Sequence, residues 1–184
     1  HFLTSAEVRI TVPPAAECPR CGRVSVALAE ICDCGSSRRA ATLPSIVAGK
    51  FRLESRIGAG GMGVVYRAHD FALNRVVALK TLPRLSARAG ERLCHEAQMM
   101  AAVVHPNLAT IYSLEQWRNT PILVEEFLEG GSLAARLGRV PQRIDDVLQL
   151  GVTLASALQH LHGRRVLHGD VKPSNIAFSA AGLK

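Results

Sequence analysis

Hydrophobic and polar positions follow two different patterns along the chain. Before residue 50 the sequence is interrupted by prolines, glycines and serines, which predicts loops. From Phe51 onward the pattern becomes regular, because Phe51, Leu53 and Ile57 alternate with charged residues as in a half-buried strand. We therefore predict a domain boundary near residues 45–50.

The regular part of the chain predicts strands first and a long helix later. After the strand at 51–57, the pattern predicts strands at Val64–Ala68, Val76–Leu82, Ala109–Leu114 and Ile122–Glu126, and helices at 87–103 and Asp145–His162. Each helical segment carries apolar residues three and four positions apart, which places them on one face. The order of strands, helix, strands and helix indicates an α+β fold.

Composition excludes some classes of protein. Of the 184 residues, 48% are hydrophobic and 20% are charged, which suits a folded domain and not a disordered chain. No apolar run approaches the roughly 18 residues of a membrane span. The net charge of +7 permits an acidic partner, but no basic run exceeds two residues, so we expect no nucleic-acid partner.

Four cysteines lie close together in the irregular part of the chain, at Cys18, Cys21, Cys32 and Cys34. The first pair, followed by Gly22, forms the type of tight turn that offers two thiolates to one metal ion. The second pair has only one residue between its cysteines, which is less regular. We expect a structural Zn²⁺ ion here. Free or redox-active thiols are the alternative, since persistent disulfides are unexpected in a reducing compartment.

These patterns divide the chain into four predicted segments. Residues 1–17 are unassigned, and residues 18–35 are predicted to form a small zinc-ribbon-like module. Residues 36–49 would be a linker, and residues 50–184 would form the main domain.

A glycine-rich segment and a lysine suggest a phosphate-binding site in the main domain. Residues 58–65 read Gly-Ala-Gly-Gly-Met-Gly-Val-Val, and they lie between two predicted strands, whereas a dinucleotide-binding fold needs a helix there. Glycines allow backbone N–H groups to approach phosphates closely. On the next strand, Ala78 and Lys80 share a face, so Lys80 can reach phosphates beside a flat ligand, with Glu96 as its ion-pair partner. A plain hairpin, a surface lysine and a solvated glutamate are the alternatives.

The segment His168-Gly169-Asp170-Val171-Lys172-Pro173-Ser174-Asn175 follows the long helix. With this loop, the chain resembles the eukaryotic-like bacterial serine/threonine protein kinases over about residues 50–184. Glycine motif, Val-Ala-x-Lys strand, helix glutamate and this loop occur in the family's order. The resemblance implies a five-stranded N-lobe sheet with a regulatory helix, followed by the first helices and the catalytic loop of the C-lobe.

The resemblance also implies ATP and Mg²⁺ as cofactors, and proteins with Ser or Thr hydroxyls as substrates. Asp170 would accept the proton of the substrate hydroxyl, Lys172 would neutralise the γ-phosphate, and Asn175 would bind Mg²⁺. The nucleotide would be held by the glycine segment, the lysine strand, the regulatory helix and the hinge, through Gly58, Ala59, Gly60, Gly61, Met62, Gly63, Val65, Ala78, Lys80, Glu96, Glu126 and Leu128.

Three features depart from the family pattern. Gly169 replaces the arginine that usually binds a phosphorylated activation loop, which suggests activity independent of such phosphorylation. Glu125 falls at the gatekeeper position, where a carboxylate is costly unless paired, or else the register there is off by one residue. The sequence stops at Lys184, before the family's Asp-Phe-Gly motif. We therefore expect a fragment of a kinase, inactive by itself, with part of the apolar face of helix 145–162 exposed.

The predicted function is protein serine/threonine phosphorylation in signal transduction, either in the cytoplasm or in the cytoplasmic part of a membrane-anchored kinase. Two alternatives remain. A nucleotide-binding pseudokinase scaffold would share these motifs, and small-molecule phosphotransferases that resemble the aminoglycoside and choline kinases share His-Gly-Asp. Lys172-Pro173 and the complete glycine motif favour a protein kinase over the second alternative.

Overall fold

The computed structural model describes residues 14–26, 30–60, 63–82, 98–118, 120–137, 142–179 and 182–184. The chain divides into two compact units, His1–Val76 and Val77–Lys184. The division falls inside one strand, Arg75–Thr81, and each unit is considered separately below.

The first unit contains two sets of antiparallel strands. Strands β1 (Ala15–Glu17), β2 (Val24–Val26) and β3 (Arg39–Ala40) form a sheet in the order β2-β1-β3. Strands β4 (Ile46–Val47), β5 (Phe51–Gly60) and β6 (Gly63–Asp70) pair in the order β4-β5-β6. Apolar side chains on the second set, among them Val47, Phe51, Leu53 and Ala68, are buried.

The prediction that the chain before residue 50 consists of loops was wrong. Strands β1 to β4 lie among the described residues of this part, 14–26 and 30–49. The segment predicted as a linker, 36–49, includes β3, β4 and the buried Leu43, Ser45 and Val47. Strands of two or three residues are too short to display a two-residue period, so the glycines and prolines between them dominated the pattern. The four predicted segment boundaries remain predictions.

The second unit contains strands β8 (Ile111–Trp117) and β9 (Thr120–Glu126) and, from Val77 onward, β7 (Arg75–Thr81), in the order β7-β9-β8. Both pairings are antiparallel. The central strand β9 buries Ile122, Leu123 and Val124 in succession, so both of its faces are covered. All five strands predicted between residues 51 and 126 are present, with ends shifted by a few residues.

Helices and short strands complete the second unit. Residues 98–101 are helical, while most of the helix predicted at 87–103 lies outside the described residues. Helix α1 (Leu133–Arg136) is capped by Ser132, whose hydroxyl accepts a hydrogen bond from the Ala135 N–H. Next come helix α2 (Ile144–Gly163), a 3₁₀ turn (Pro173–Asn175) and the strand pair β10 (Phe178–Ser179) and β11 (Gly182–Leu183).

Helix α2 is buried near its C-terminal end only. Leu161 packs with Val103 and Val166 in a cluster that Leu158 also contacts. Towards the other end the helix exposes four large apolar side chains, Ile144, Val147, Leu148 and Val152. The expectation that part of the apolar face of this helix is exposed is therefore confirmed. None of the helices among the described residues is long and apolar enough to span a membrane.

Candidate functional site

The four cysteines in the first unit converge on one point. Their sulfur atoms all lie within 4.8 Å of one another. The Cys18 and Cys34 sulfurs are 3.4 Å apart, and the Cys21 and Cys32 sulfurs are 3.5 Å apart. Four sulfurs bound at about 2.3 Å to a tetrahedral Zn²⁺ are separated by about 3.8 Å, whereas a disulfide needs about 2.05 Å. The cluster therefore has the dimensions of a single-metal site formed by free thiols.

Two similar backbone turns present these sulfurs. In the first, the Gly22 N–H donates to the Cys18 carbonyl at 2.9 Å; in the second, the Gly35 N–H donates to the Cys32 carbonyl at 2.7 Å. Both glycines have a left-handed backbone, with φ of 76° and 79°. The second cysteine pair therefore forms a regular turn despite its single intervening residue, which sequence spacing alone did not indicate.

The protonation of the cluster is uneven. A hydrogen bond from the Cys21 backbone N–H is the main reason that the pKa of Cys18 is lowered to about 6. At Cys34, the Ser36 backbone N–H acts to lower the pKa, but the neighbouring Cys18 thiol and burial raise it to about 11. Cys18 therefore loses its proton readily, whereas Cys34 retains its proton. A divalent cation would remove this conflict by stabilising all the thiolates together.

A buried carboxylate next to the cysteine cluster was missed by the sequence reasoning. Glu17 is only 3% exposed, and its carboxylate accepts a hydrogen bond from the Tyr66 hydroxyl at 2.7 Å. Arg39 donates to the same carboxylate at 3.0 Å, and the Arg56 guanidinium lies 3.3 Å away. Tyr66 itself is fully buried, and its hydroxyl also accepts from the Thr42 N–H. We call Glu17, Arg39, Arg56 and Tyr66 the Glu17 cluster.

Gly58, Gly60 and Gly63 lie at the adjoining ends of the paired strands β5 and β6. The antiparallel register continues through Gly58 opposite Val65 and Ala59 opposite Val64 to Gly60 opposite Gly63. The segment therefore joins two strands, as predicted, and does not open a helix. Gly61 and Met62, both predicted to bind the nucleotide, lie outside the described residues.

In the second unit, β7 and β9 bring Lys80 and Glu125 to the same face. Ala78 pairs with Glu125, and Lys80 pairs with Leu123. Directly opposed residues of antiparallel strands share a face, and so do residues two apart. Burial raises the pKa of Glu125, and the Lys80 ammonium acts in the opposite direction. This register puts Glu125 opposite Ala78. Glu96, the predicted partner of Lys80, lies outside the described residues.

Residues at or near either end of the predicted hinge, 126–128, make hydrogen bonds with other segments of the second unit. The Lys184 ammonium contacts both carboxylate oxygens of Glu126 at 2.6 Å, and the Thr110 N–H donates to Glu126 at 3.1 Å. Burial acts to raise the pKa of Glu126. The hydrogen bonds from Lys184 are the largest influence in the opposite direction, and the pKa is lowered. Beyond Leu128, the Gly130 N–H donates to the Phe178 carbonyl at 2.8 Å.

The loop at 168–175 brings together the two predicted catalytic side chains, Asp170 and Lys172, and the predicted Mg²⁺ ligand Asn175. The Lys172 ammonium lies 2.8 Å from Asp170 Oδ2, and the Asn175 side-chain N–H donates to the same oxygen at 2.7 Å. The hydrogen bond from Lys172 is the largest influence on the carboxylate, and it lowers the pKa of Asp170. Pro173 begins the 3₁₀ turn that returns Asn175 towards Asp170. The carboxylate is therefore ionised near neutral pH and surrounded by donors.

Two further residues shape this loop. The Asp170 N–H donates to His168 Nδ1 at 3.3 Å, and burial lowers the pKa of His168 despite the nearby Asp170 carboxylate. Gly169 has φ of 72°, a left-handed backbone conformation that is strained in residues with a side chain. The glycine that departs from the family pattern thus fits its backbone conformation.

Comparison with known proteins gives a consistent picture. The family model described as the protein kinase domain matches residues 51–184. Serine/threonine-protein kinase pkn2 of Myxococcus xanthus is 37% identical over 137 residues, which cover 73% of this chain and 16% of the relative. Serine/threonine-protein kinase PrkC of Bacillus subtilis is 33% identical over 140 residues, covering 74% and 22%. Inhibitor of nuclear factor kappa-B kinase subunit beta of Bos taurus is 33% identical over 146 residues, covering 73% and 19%. The chain spans about a fifth of the length of these curated relatives.

Proposed function

Because this chain belongs to the protein kinase family, we propose that the protein transfers the γ-phosphoryl group of ATP to Ser or Thr hydroxyls of other proteins, in signal transduction. The observation that carries the proposal is the arrangement of Lys172 and Asn175 around the Asp170 carboxylate. A charged carboxylate beside an ammonium group suits a reaction in which a hydroxyl loses its proton while a charged phosphoryl group is transferred.

In the proposed reaction, Asp170 orients the substrate hydroxyl and accepts its proton. The hydroxyl oxygen forms a bond to the γ-phosphorus as the bond to the β,γ-bridging oxygen breaks, and ADP leaves with that oxygen. Lys172 moves from Asp170 to the γ-phosphate and offsets its charge. Mg²⁺, when bound, neutralises the phosphates. Asn175 fits such an ion, because its amide oxygen is the ligand type that Mg²⁺ prefers. Its amide nitrogen donates a hydrogen bond to Asp170.

Nucleotide binding is proposed to use the residues that match the family motifs. Lys80 would contact the α- and β-phosphates and pair with Glu96, the backbone of the glycine segment would contact the phosphates, and the Glu126 and Leu128 backbone would bond the adenine edge. Ala78 and Val65 would contact the adenine faces. The Glu126 carboxylate is bonded to Lys184, which supports a backbone role for Glu126.

The cysteine cluster is proposed to hold a structural Zn²⁺ ion. The four sulfurs fit a tetrahedral site, and their unpaired thiols suit a reducing, cytoplasmic compartment. We propose that residues 18–35 form the metal-binding module and that residues 50–184 form the kinase domain. Gly169 supports activity that does not require a phosphorylated activation loop.

Nucleotide titration tests the proposal on this chain. Isothermal titration with Mg·ADP should show one binding site in the wild-type chain. Lys80→Met should weaken binding by roughly tenfold or more, since a charge-assisted bond to phosphate is lost. Lys50→Met removes one lysine from an exposed position near β5 and serves as the matched control. Equal affinity in the two variants would contradict the assignment of Lys80.

A further inference from the structure

The first cysteine turn lies directly against the strand that leads into the glycine segment. The Arg56 N–H donates to the Gly22 carbonyl at 2.7 Å, and the Arg56 side chain donates to the Pro19 carbonyl at 3.2 Å. A neighbouring bridge pairs Arg23 with Ser55. Arg56 is two residues before Gly58. The turn that carries Cys18 and Cys21 therefore contacts β5 immediately before its glycine tip.

The Glu17 cluster extends this contact to the second strand of the hairpin. Arg56 on β5 pairs directly with Tyr66 on β6, and both side chains meet the carboxylate of Glu17. Glu17 is adjacent to Cys18 in sequence. One side of the cysteine cluster is thus connected, through Glu17 and Pro19 on either side of Cys18, to both strands of the hairpin.

The approach at Gly22 leaves no room for a side chain. A Cβ atom added at Gly22 would lie 2.2 Å from the Arg56 carbonyl oxygen. At Gly35, in the second turn, a Cβ atom would meet nothing within 4 Å. The two glycines share a left-handed backbone, so they differ mainly in this contact. The first turn is therefore in close contact with β5 at Gly22, whereas Gly35 faces open space.

We infer that Cys18, Cys21, Cys32 and Cys34 form a metal site whose first turn positions the glycine hairpin, so that metal occupancy sets the affinity for nucleotide. The inference rests on the proposed function, in which the glycine segment binds phosphates. With the metal bound, the turn is rigid and β5 keeps the Arg56–Gly22 hydrogen bond. Without the metal, the turn loses its central link and the hairpin must be ordered when nucleotide binds, which weakens the apparent affinity.

Two readouts test the inference on the full chain. One is the hydrogen exchange rate of the Arg56 amide, and the other is the Mg·ADP dissociation constant. Both are measured with Zn²⁺ bound, confirmed as one ion per chain, and again after a zinc-selective chelator has been applied and removed. We expect chelation to accelerate exchange of the Arg56 amide by about tenfold or more and to weaken ADP binding by about fivefold. A change of this size corresponds to the loss of roughly one hydrogen bond that holds the hairpin in place before nucleotide binds.

Matched variants separate docking from metal binding. Gly22→Ala should retain Zn²⁺ but lose Arg56 protection and nucleotide affinity, so that chelation changes its ADP affinity little. Gly35→Ala carries the same backbone strain and should respond to chelation like the wild type. Arg56→Met keeps the β5 backbone but removes the contacts with Pro19 and Glu17. It gives the same comparison if Gly22→Ala fails to fold.

Each outcome has a defined meaning. The inference is wrong if the wild-type chain binds no Zn²⁺, or if Arg56 exchange and ADP affinity are the same with and without the metal. It is also wrong if Gly35→Ala weakens nucleotide binding as much as Gly22→Ala does. Failure of the proposed function is recognised differently, because then no form binds ADP even though Arg56 exchange still follows zinc.

Discussion

Replacement of Tyr66 with phenylalanine tests whether the Glu17 cluster stabilises the first unit. Tyr66 is fully buried, and its hydroxyl donates to Glu17 Oε2 at 2.7 Å while accepting from the Thr42 N–H at 3.0 Å. Tyr66→Phe removes one oxygen atom and keeps the ring. The Glu17 carboxylate would remain buried with one donor fewer.

The expected loss follows from the type of bond. A hydrogen bond to a charged group contributes about 1.5–3 kcal/mol, and Glu17 has little access to water that could replace the donor. Thr42 is exposed, so its N–H can bond to water and adds little. We expect the free energy of unfolding to fall by about 2 kcal/mol, which lowers Tm by about 4–8 °C in a chain of this size.

Thermal unfolding followed by circular dichroism measures this effect, with Zn²⁺ present throughout. Tyr112→Phe is the matched control, because the Tyr112 residue is 37% exposed and water can replace any partner of its hydroxyl. We expect the control to change the free energy of unfolding by less than about 0.5 kcal/mol. A similarly small change for Tyr66→Phe would refute the stabilising role of the cluster.

The pH dependence of stability provides a second check. Burial, together with the hydrogen bond to Glu17, raises the pKa of Tyr66. Above pH 10 the unfolded chain releases this phenolic proton while the folded chain keeps it, so the contribution of Tyr66 to stability decreases as pH rises. Tyr66→Phe should lack that part of the decrease.

Three further predictions concern the second unit. Lys172→Met should raise the pKa of Asp170, because the hydrogen bond that lowers it is lost. In the pH–rate profile for phosphorylation by the whole protein, the acidic limb should then move to higher pH, independently of any change in the maximal rate. Because the pKa of His168 is lowered in the folded chain, the unfolded chain protonates this histidine first as pH falls below about 6.5. The free energy of unfolding should therefore decrease below that pH. Urea unfolding of His168→Gln should show a smaller decrease. Lys184→Met should leave the Glu126 carboxylate without its ammonium and lower the free energy of unfolding by about 1–2 kcal/mol.

The first two of these predictions have matched control variants. Arg164→Met, at an exposed residue near the end of α2, should leave the pH–rate profile in place, and an unmoved profile for Lys172→Met would show that Asp170 does not depend on Lys172. His162→Gln, also exposed, is the control for His168. Equal stability of Lys184→Met and the wild type would indicate that solvent screens the ion pair.

The sequence predicted those parts of the molecule where pattern and chemistry coincide. Strands β5 to β9 alternate or are continuously apolar, and the 168–175 loop carries its residues at fixed spacing, so both could be recognised. Glu17 could not, because its partner Tyr66 is 49 residues away and a single glutamate between small residues has no periodic signal. The assignment of Glu125 to the gatekeeper position stays a prediction. The strand register adds that Glu125 pairs with Ala78, which sequence alone did not determine.

Phosphate transfer by the whole protein is the most direct test of the central claim. Incorporation of labelled phosphate from ATP into Ser and Thr of a general protein substrate should fall by about 10²–10⁴-fold in Asp170→Asn, with unchanged nucleotide affinity. Asp146→Asn, at an exposed position in the first turn of α2, should have the wild-type rate. An Asp170→Asn variant as active as the wild type would contradict the account, and a wild-type protein that binds nucleotide but transfers no phosphate would be a scaffold instead of a kinase.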